Sequence, residues 1–240
     1  MAKKIEYYFN LALHYFREIF LWDFLFLNRS YSQEGEDIIL DRVLGHIKRG
    51  FYVDIGAHHP KRLSNTYKFY KKGWKGINID AMPGSMRKFN LVRRRDLNLE
   101  CAITNDTNSI EYYVFNEPAL NTFSKENADL WSTKAPYRII KSIKVKGDRL
   151  DNIFNRYLAQ GQNIDFMSID VEGYELEVLL TNNWDKFRPK VIVLEVQSFL
   201  LDDSVRSKAV SYLQDKGYTV VSKLYFSIIL CEADFANTLR

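Results

Sequence analysis

Four short apolar runs constrain this chain most: FYVDIG at residues 51–56, GINIDA at 76–81, IDFMSID at 164–170 and KVIVLEV at 190–196. Each is six or seven residues of mainly apolar side chains with an acid at or near its end, as expected of strands covered on both faces. Between them lie stretches with helical spacing. Helices are predicted over 34–50, over 64–72 with Ser64 as N-cap and Gly73 as stop, from Pro83 onward, over 148–161, over 173–180, and over 202–217 ending at Gly217. Alternating strands and helices imply a parallel sheet with helices on both faces. A third strand is expected over 97–104. YTVVSKLY and FSIILCEA, in close succession, add an antiparallel pair at the end.

The middle breaks this rhythm. IEYYVF and KSIKVK alternate like strands, but residues 116–137 show no period and hold Pro118 and Pro136. So long an irregular run within a compact domain is expected to be a lid or binding loop. The 240 residues suit one sizeable domain, residues 31–240, with an appendage over 1–30. In that appendage Ile5, Tyr8, Phe9, Ala12, Leu13, Phe16, Ile19 and Phe20 fall on one helical face. Its charges exclude a membrane span, and it lacks a signal-peptide cleavage pattern. It is expected to pack on the domain or a second subunit as a homodimer contact, or to lie on a membrane surface with Trp22, Phe24 and Phe26 at the bilayer. Cys101 and Cys231 are the only cysteines, each in an apolar run, which points to buried thiols in a reducing, cytoplasmic setting. The net charge of +4 is mild. KKGWK and RKFNLVRRR read first as solvated basic faces; no nucleic-acid-binding pattern accompanies them, and no nucleic-acid partner is expected.

In open parallel sheets ligands bind beyond the carboxyl ends of the strands, where the strand order reverses. The first strand ends Asp54-Ile55-Gly56-Ala57-His58-His59-Pro60. Gly56 allows a tight turn close to a ligand and Ala57 adds little bulk, while Asp54 can accept from loop amides or a ligand ammonium. His58 replaces the second glycine that a pyrophosphate needs, which counts against NAD and FAD. Asp80, at the end of the second strand, is placed to accept both hydroxyls of an adenosine ribose, with Ala81 and Met82 against the base. A ribose-binding acid without a pyrophosphate loop suits S-adenosylmethionine. Asp170 and Glu195 end adjacent strands and can converge, either as hard oxygen ligands for Mg²⁺ or Mn²⁺ or with one carboxylate as general base. His58 and His59, at the mouth of the cofactor strand, are further candidates for proton transfer.

These residues carry a resemblance. YSQEGED, FYVDIGAHHPKRLSNTYKFYKKGWKGINIDAMP, RRRDLNLECAIT and IDFMSIDVEGYELEVL followed by VIVLEVQ resemble the FkbM family of S-adenosylmethionine-dependent methyltransferases, over about residues 31–232. The resemblance implies a Rossmann-like class I fold with a seven-stranded, mostly parallel sheet and one antiparallel strand. It implies O-methylation of a sugar hydroxyl in a polysaccharide, glycolipid or glycosylated natural product. By the same carry-over Asp54, Gly56 and Ala57 meet the methionine part, Asp80 the ribose, Ala102 and Ile103 the adenine, and Asp170 the transferred methyl, with Ser64, Asn65 and Thr66 lining the cleft. Met167-Ser168 stands where many relatives have leucine-lysine, so no lysine-dependent role carries over. Two other functions remain open: methylation of nucleic acid, and a membrane-associated protein that keeps the fold without catalysis.

Overall fold

The computed structural model describes residues 2–21, 27–196 and 207–239. Residues 1–30 and 31–240 form two separate units. In the first, Ala2–Phe16 is an α-helix that continues into a π-helical turn, Arg17–Leu21, with Ile5, Tyr8, Phe9, Leu13, Phe16, Ile19 and Phe20 all exposed. Trp22, Phe24 and Phe26 lie outside the described residues. Among the described residues no helix is long and apolar enough to cross a membrane.

The second unit is built on a seven-stranded sheet. Its members are β1 (Phe51–Ile55), β2 (Lys75–Asp80), β3 (Leu97–Glu100), β8 (Phe166–Ile169), β9 (Val191–Glu195), β10 (Tyr218–Lys223) and β11 (Ser227–Glu232). Their spatial order is β10-β11-β9-β8-β1-β2-β3, and β11 alone runs antiparallel to both its neighbours. This is the Rossmann-like class I arrangement expected from the sequence. Alternation along each strand sends Val53, Ile55, Ile77, Ile79, Met167 and Ile169 to one face, under the helices Leu150–Tyr157, Glu175–Leu179 and Lys208–Asp215. Tyr52, Phe166, Val191 and Val193 go to the other, under Glu36–Leu44 and Phe69. The chain leaves β1 toward β2 in one direction and β8 toward β9 in the other, so the sheet's switch point lies between β1 and β8.

Several boundaries differ from expectation. The helix expected over 64–72 with Ser64 as N-cap is Tyr67–Lys71 with Thr66 at the N-cap, and those expected over 148–161 and 173–180 shorten to Leu150–Tyr157 and Glu175–Leu179. The first helix of this unit closes at Leu44, with Gly45 as its C-cap, a turn before Gly50. Gly50 instead makes room for Trp74, whose ring would lie 2.3 Å from a Cβ placed there. The strand expected over 97–104 breaks at Cys101. After β3 the chain changes partner, so that β4 (Ala102–Ile103) pairs in parallel with β7 (Gly147–Asp148) outside the main sheet. Between them β5 (Ile110–Phe115) and β6 (Ile139–Val145) form an antiparallel hairpin. Residues 116–137 are more regular than expected, containing a 3₁₀ turn, Pro118–Leu120, and a helix, Lys125–Ser132, whose N-cap Ser124 accepts from Asn127 N. The start of the helix expected over 202–217 falls outside the described residues; its remainder is Lys208–Asp215.

YSQEGED turns out to be a staple. The Asp37 carboxylate accepts from Tyr31 N and Ser32 Oγ, Glu34 accepts from Phe226 N, and Glu36 accepts from Ser227 Oγ. Asp37 folds the segment on itself, and the two glutamates fasten it to the turn between β10 and β11. The RRR run is not simply a solvated face. Arg93 is fully buried, donating to Pro60 O at 2.8 Å, Tyr52 OH at 3.0 Å, Ser64 Oγ at 2.8 Å and Thr66 Oγ1 at 3.0 Å. Arg95 donates to Tyr70 O and stacks on the Tyr70 ring.

Candidate active site

A cleft of about 730 Å³ opens at the switch point, within the usual range for small-molecule sites. Its floor begins at Gly56, whose φ of 79° places it in the left-handed region. A Cβ there would sit 1.7 Å from the Asp170 carbonyl oxygen, so only glycine lets the β1 and β8 loops meet. Gly56 N and Ala57 N both donate to Ile79 O, which closes the turn over β2.

Asp80 ties two loops together. One carboxylate oxygen accepts from His58 N at 2.9 Å and the other from Met82 N at 2.8 Å. Each oxygen keeps a lone pair for a ligand. Burial raises the Asp80 pKa, opposed by the Met82 and His58 amides. Asp54 lies beneath the loop and accepts from Thr66 Oγ1 at 2.6 Å. Because Arg93 donates to that same Thr66 oxygen, the hydroxyl proton is directed onto Asp54. Burial still lifts the Asp54 pKa to about 6.

Eight of the residues expected at the site line the cleft: Gly56, His58, Asp80, Ala81, Ala102, Ile103, Asp170 and Glu195. Asn65 lines a small adjoining recess with Gln33, Asp170 and Glu195, and donates to Ser168 Oγ. Four sit elsewhere. Asp54 is underneath; Ala57 packs with Met86 and Phe89; Met82 packs with Ala102, Tyr112 and Val114. His59 Nδ1 accepts from Lys61 N and Arg62 N, so its ring holds a turn, and burial together with nearby Lys88 lowers its pKa. Cys101 also reaches the cleft wall, where burial pushes its thiol up to about 11, away from nucleophilic use.

Asp170 and Glu195 converge as expected, and Glu172 joins them: their carboxylate oxygens lie within 4.8 Å of one another. Asp170 opens into the cleft while protein surrounds its other sides, and loss of bulk water raises its pKa. Glu195 is raised well above the usual carboxylate range, by burial first and then by the charges of Asp170, Glu172 and Glu175. Among the described residues its buried Oε2 has no hydrogen-bond partner. Three carboxylates this close need a proton or a cation among them. The run SIDVEGYE at the end of β8 already places Glu172 beside the same cleft as Asp170; its φ of 52° puts a non-glycine residue in the left-handed region, a strain of about 1–3 kcal/mol.

The opposite wall comes from the excursion between β4 and β7. Tyr112, Phe123, Leu130, Trp131 and Tyr137 face the cleft, with Arg62 and Lys134 as cations. Trp131 and Tyr137 meet edge to face at 5.8 Å, and Lys134 Nζ lies 4.2 Å over the Trp131 ring. The irregular composition of 116–137 was the only sequence signal for this wall.

The family model for the methyltransferase FkbM domain matches residues 54–220, from the end of β1 through the switch point and β9 to the start of β10. The chain belongs to the FkbM methyltransferase family. Among solved structures, this FkbM chain is similar to precorrin-6y C5,15-methyltransferase from Geobacter metallireducens, at 14% identity over 81% of this chain and 86% of that one, with a TM-score of 0.39. It is also similar to Aeropyrum pernix fibrillarin in complex with S-adenosyl-L-methionine, at 11% identity over 80% and 72%, with a TM-score of 0.41. No curated protein matches it in sequence.

Proposed function

We propose that this FkbM domain transfers a methyl group from S-adenosylmethionine to a sugar hydroxyl of a polysaccharide, glycolipid or glycosylated natural product. The observation that carries the cofactor is the Gly56–Asp80 cradle: a glycine pressed on the Asp170 carbonyl, and an acid at the end of β2 that lines the cleft. A pyrophosphate-binding second glycine is missing, whereas a ribose needs only the acid. Ala81, Ala102 and Ile103 offer a flat apolar seat for adenine. For the acceptor, Trp131 and Tyr137 present rings on which the C–H face of a pyranose packs, leaving its hydroxyl edge to the carboxylates.

Bound S-adenosylmethionine supplies an electrophilic methyl group, to which an acceptor oxygen bonds as the carbon–sulfur bond breaks. The chain's own part is alignment, worth up to about 7–11 kcal/mol of barrier, and removal of the hydroxyl proton, worth about 10²–10⁴-fold. Asp170 is the base in this reading. Glu195, the member of the cluster most strongly pushed to hold a proton, keeps that neighbourhood from carrying a full set of negative charges. A second reading rests on the same three carboxylates: Mg²⁺ or Mn²⁺ held by Asp170, Glu172 and Glu195 would lower the hydroxyl pKa.

Calorimetric titration with S-adenosylmethionine tests the cofactor, and radiolabelled methyl transfer to a panel of glycans tests the acceptor. No heat of binding would end the first claim; labelling of RNA but of no glycan would end the second. Turnover unchanged in EDTA would discard the metal. We propose further that the helix Ala2–Phe16 contacts a membrane surface or a second copy of the chain. Its exposed aromatic side chains support this, and vesicle flotation with sedimentation velocity of the full chain tests it.

A further inference from the structure

The segment 116–137 reaches the carboxylate loop through two hydrogen bonds that converge on one carbonyl oxygen. The Glu172 carbonyl accepts from Thr122 Oγ1 at 2.8 Å and from Asn127 Nδ2 at 2.7 Å. Asn127 lies on the helix Lys125–Ser132, which also carries Leu130 and Trp131 into the cleft wall. Its amide fills the space beside Gly173, where a Cβ would lie 1.9 Å from Nδ2. From the other side Glu175 Oε1 accepts from Val171 N and Gly173 N. The loop is thus gripped on both its carbonyl and its amide sides, and the residue between the grips, Glu172, has a left-handed backbone that does not persist unaided.

We infer that Thr122 and Asn127 are positioning residues: by holding the Glu172 carbonyl they aim the Asp170 carboxylate at the methyl-transfer point, and they tie that aim to the helix that forms the acceptor wall. This rests on the S-adenosylmethionine reading above and goes beyond it. Neither side chain needs to touch the cofactor or the reacting oxygen. Each acts through the peptide of Glu172.

Two probes isolate the effect without an identified acceptor. S-adenosylhomocysteine occupies the adenosyl site with nothing at the methyl position; sinefungin places a protonated amine there, where a well-aimed carboxylate attracts it. Their affinities are measured by calorimetry for the wild type, Thr122→Val, Asn127→Leu, the double variant, and the conservative Thr122→Ser. The wild type should favour sinefungin. The double variant should lose about tenfold in sinefungin affinity, the worth of a hydrogen bond to a charged group, and hold S-adenosylhomocysteine within about twofold. Thr122→Ser should behave as wild type, and hydrogen exchange of the 171–174 amides should accelerate only in the deleted variants. Equal losses for both ligands would reduce the pair to a structural role, and no loss for either would overturn the inference, as would a wild type that binds both alike. A wild type that binds neither defeats the S-adenosylmethionine reading instead.

Discussion

Arg93→Met is the most demanding test of how the cofactor loop is held. The guanidinium is fully buried, 3.6 Å from the equally buried Asp96, and donates four hydrogen bonds to residues 52–66. Methionine fills much of the volume and removes all of them. Asp96 keeps Tyr52 OH, Gly76 N and Asn78 Nδ2 as donors, which moderates the loss on that side. Ser64 Oγ keeps Tyr67 N as a donor and its contact with Thr66 Oγ1, whereas Pro60 O loses the guanidinium that it accepts from. Removing one partner of a buried pair typically costs about 3–5 kcal/mol, or roughly 6–20 °C in melting temperature for a domain of this size. Urea denaturation should show the midpoint falling without a change in slope. Because Thr66 then loses the contact that directs its proton onto Asp54, S-adenosylhomocysteine affinity should fall as well. Arg93→Lys should recover only part, since an ammonium cannot match the planar fork. A Met variant within about 1 kcal/mol of wild type would refute the idea that this cation organises the loop.

Other outcomes follow from the same geometry. Gly56→Ala should abolish S-adenosylmethionine binding in calorimetry, because its Cβ would meet backbone rather than a movable side chain. Asp80→Asn should weaken S-adenosylhomocysteine binding by about 1–3 kcal/mol, since an amide has one acceptor where two loop amides and a ribose need more; titration of both proteins decides it. Asp54 is raised from its ordinary value to about 6 in the folded state, so folding favours the proton and stability falls as pH rises from about 4 to 6. Relative to Asp54→Asn, the wild type should therefore lose up to about 3 kcal/mol between pH 4 and pH 7 in urea melts. Gly173→Ala should mimic the Asn127 deletion, selectively weakening sinefungin.

The parts legible in the sequence were those that depend on local pattern. β1, β2, β8 and β9 announce themselves because a strand buried on both faces must be apolar throughout, and Gly56 and Asp80 follow from where such strands end. What stayed hidden depends on partners distant in the chain. The break at Cys101 is invisible because LNLECAIT is a sound strand on either side of it; only the arrival of Gly147–Asp148 tells β4 to leave the sheet. Arg93 sits in a run of three arginines whose composition implies solvent. Its burial depends on oxygens from Tyr52, Pro60, Ser64 and Thr66 gathering around it. His59 looked chemical because it neighbours His58, yet its Nδ1 accepts from two amides of its own turn.

That change of partner after β3 has an evolutionary reading. The excursion from residue 104 to 146 leaves and returns side by side, through the register Ala102↔Gly147 and Ile103↔Asp148. A loop whose ends already meet can lengthen at small cost, because closure entropy grows only logarithmically with length. The hairpin, the 3₁₀ turn and the Trp131 helix thus form a cassette on a fixed clasp. Relatives could be re-targeted by exchanging the cassette, and a chimera made at this clasp should keep the recipient's cofactor affinity while adopting the donor's acceptor. The bonds from Thr122 and Asn127 to Glu172 set a condition on such exchanges: whatever wall is installed must still reach the carboxylate loop.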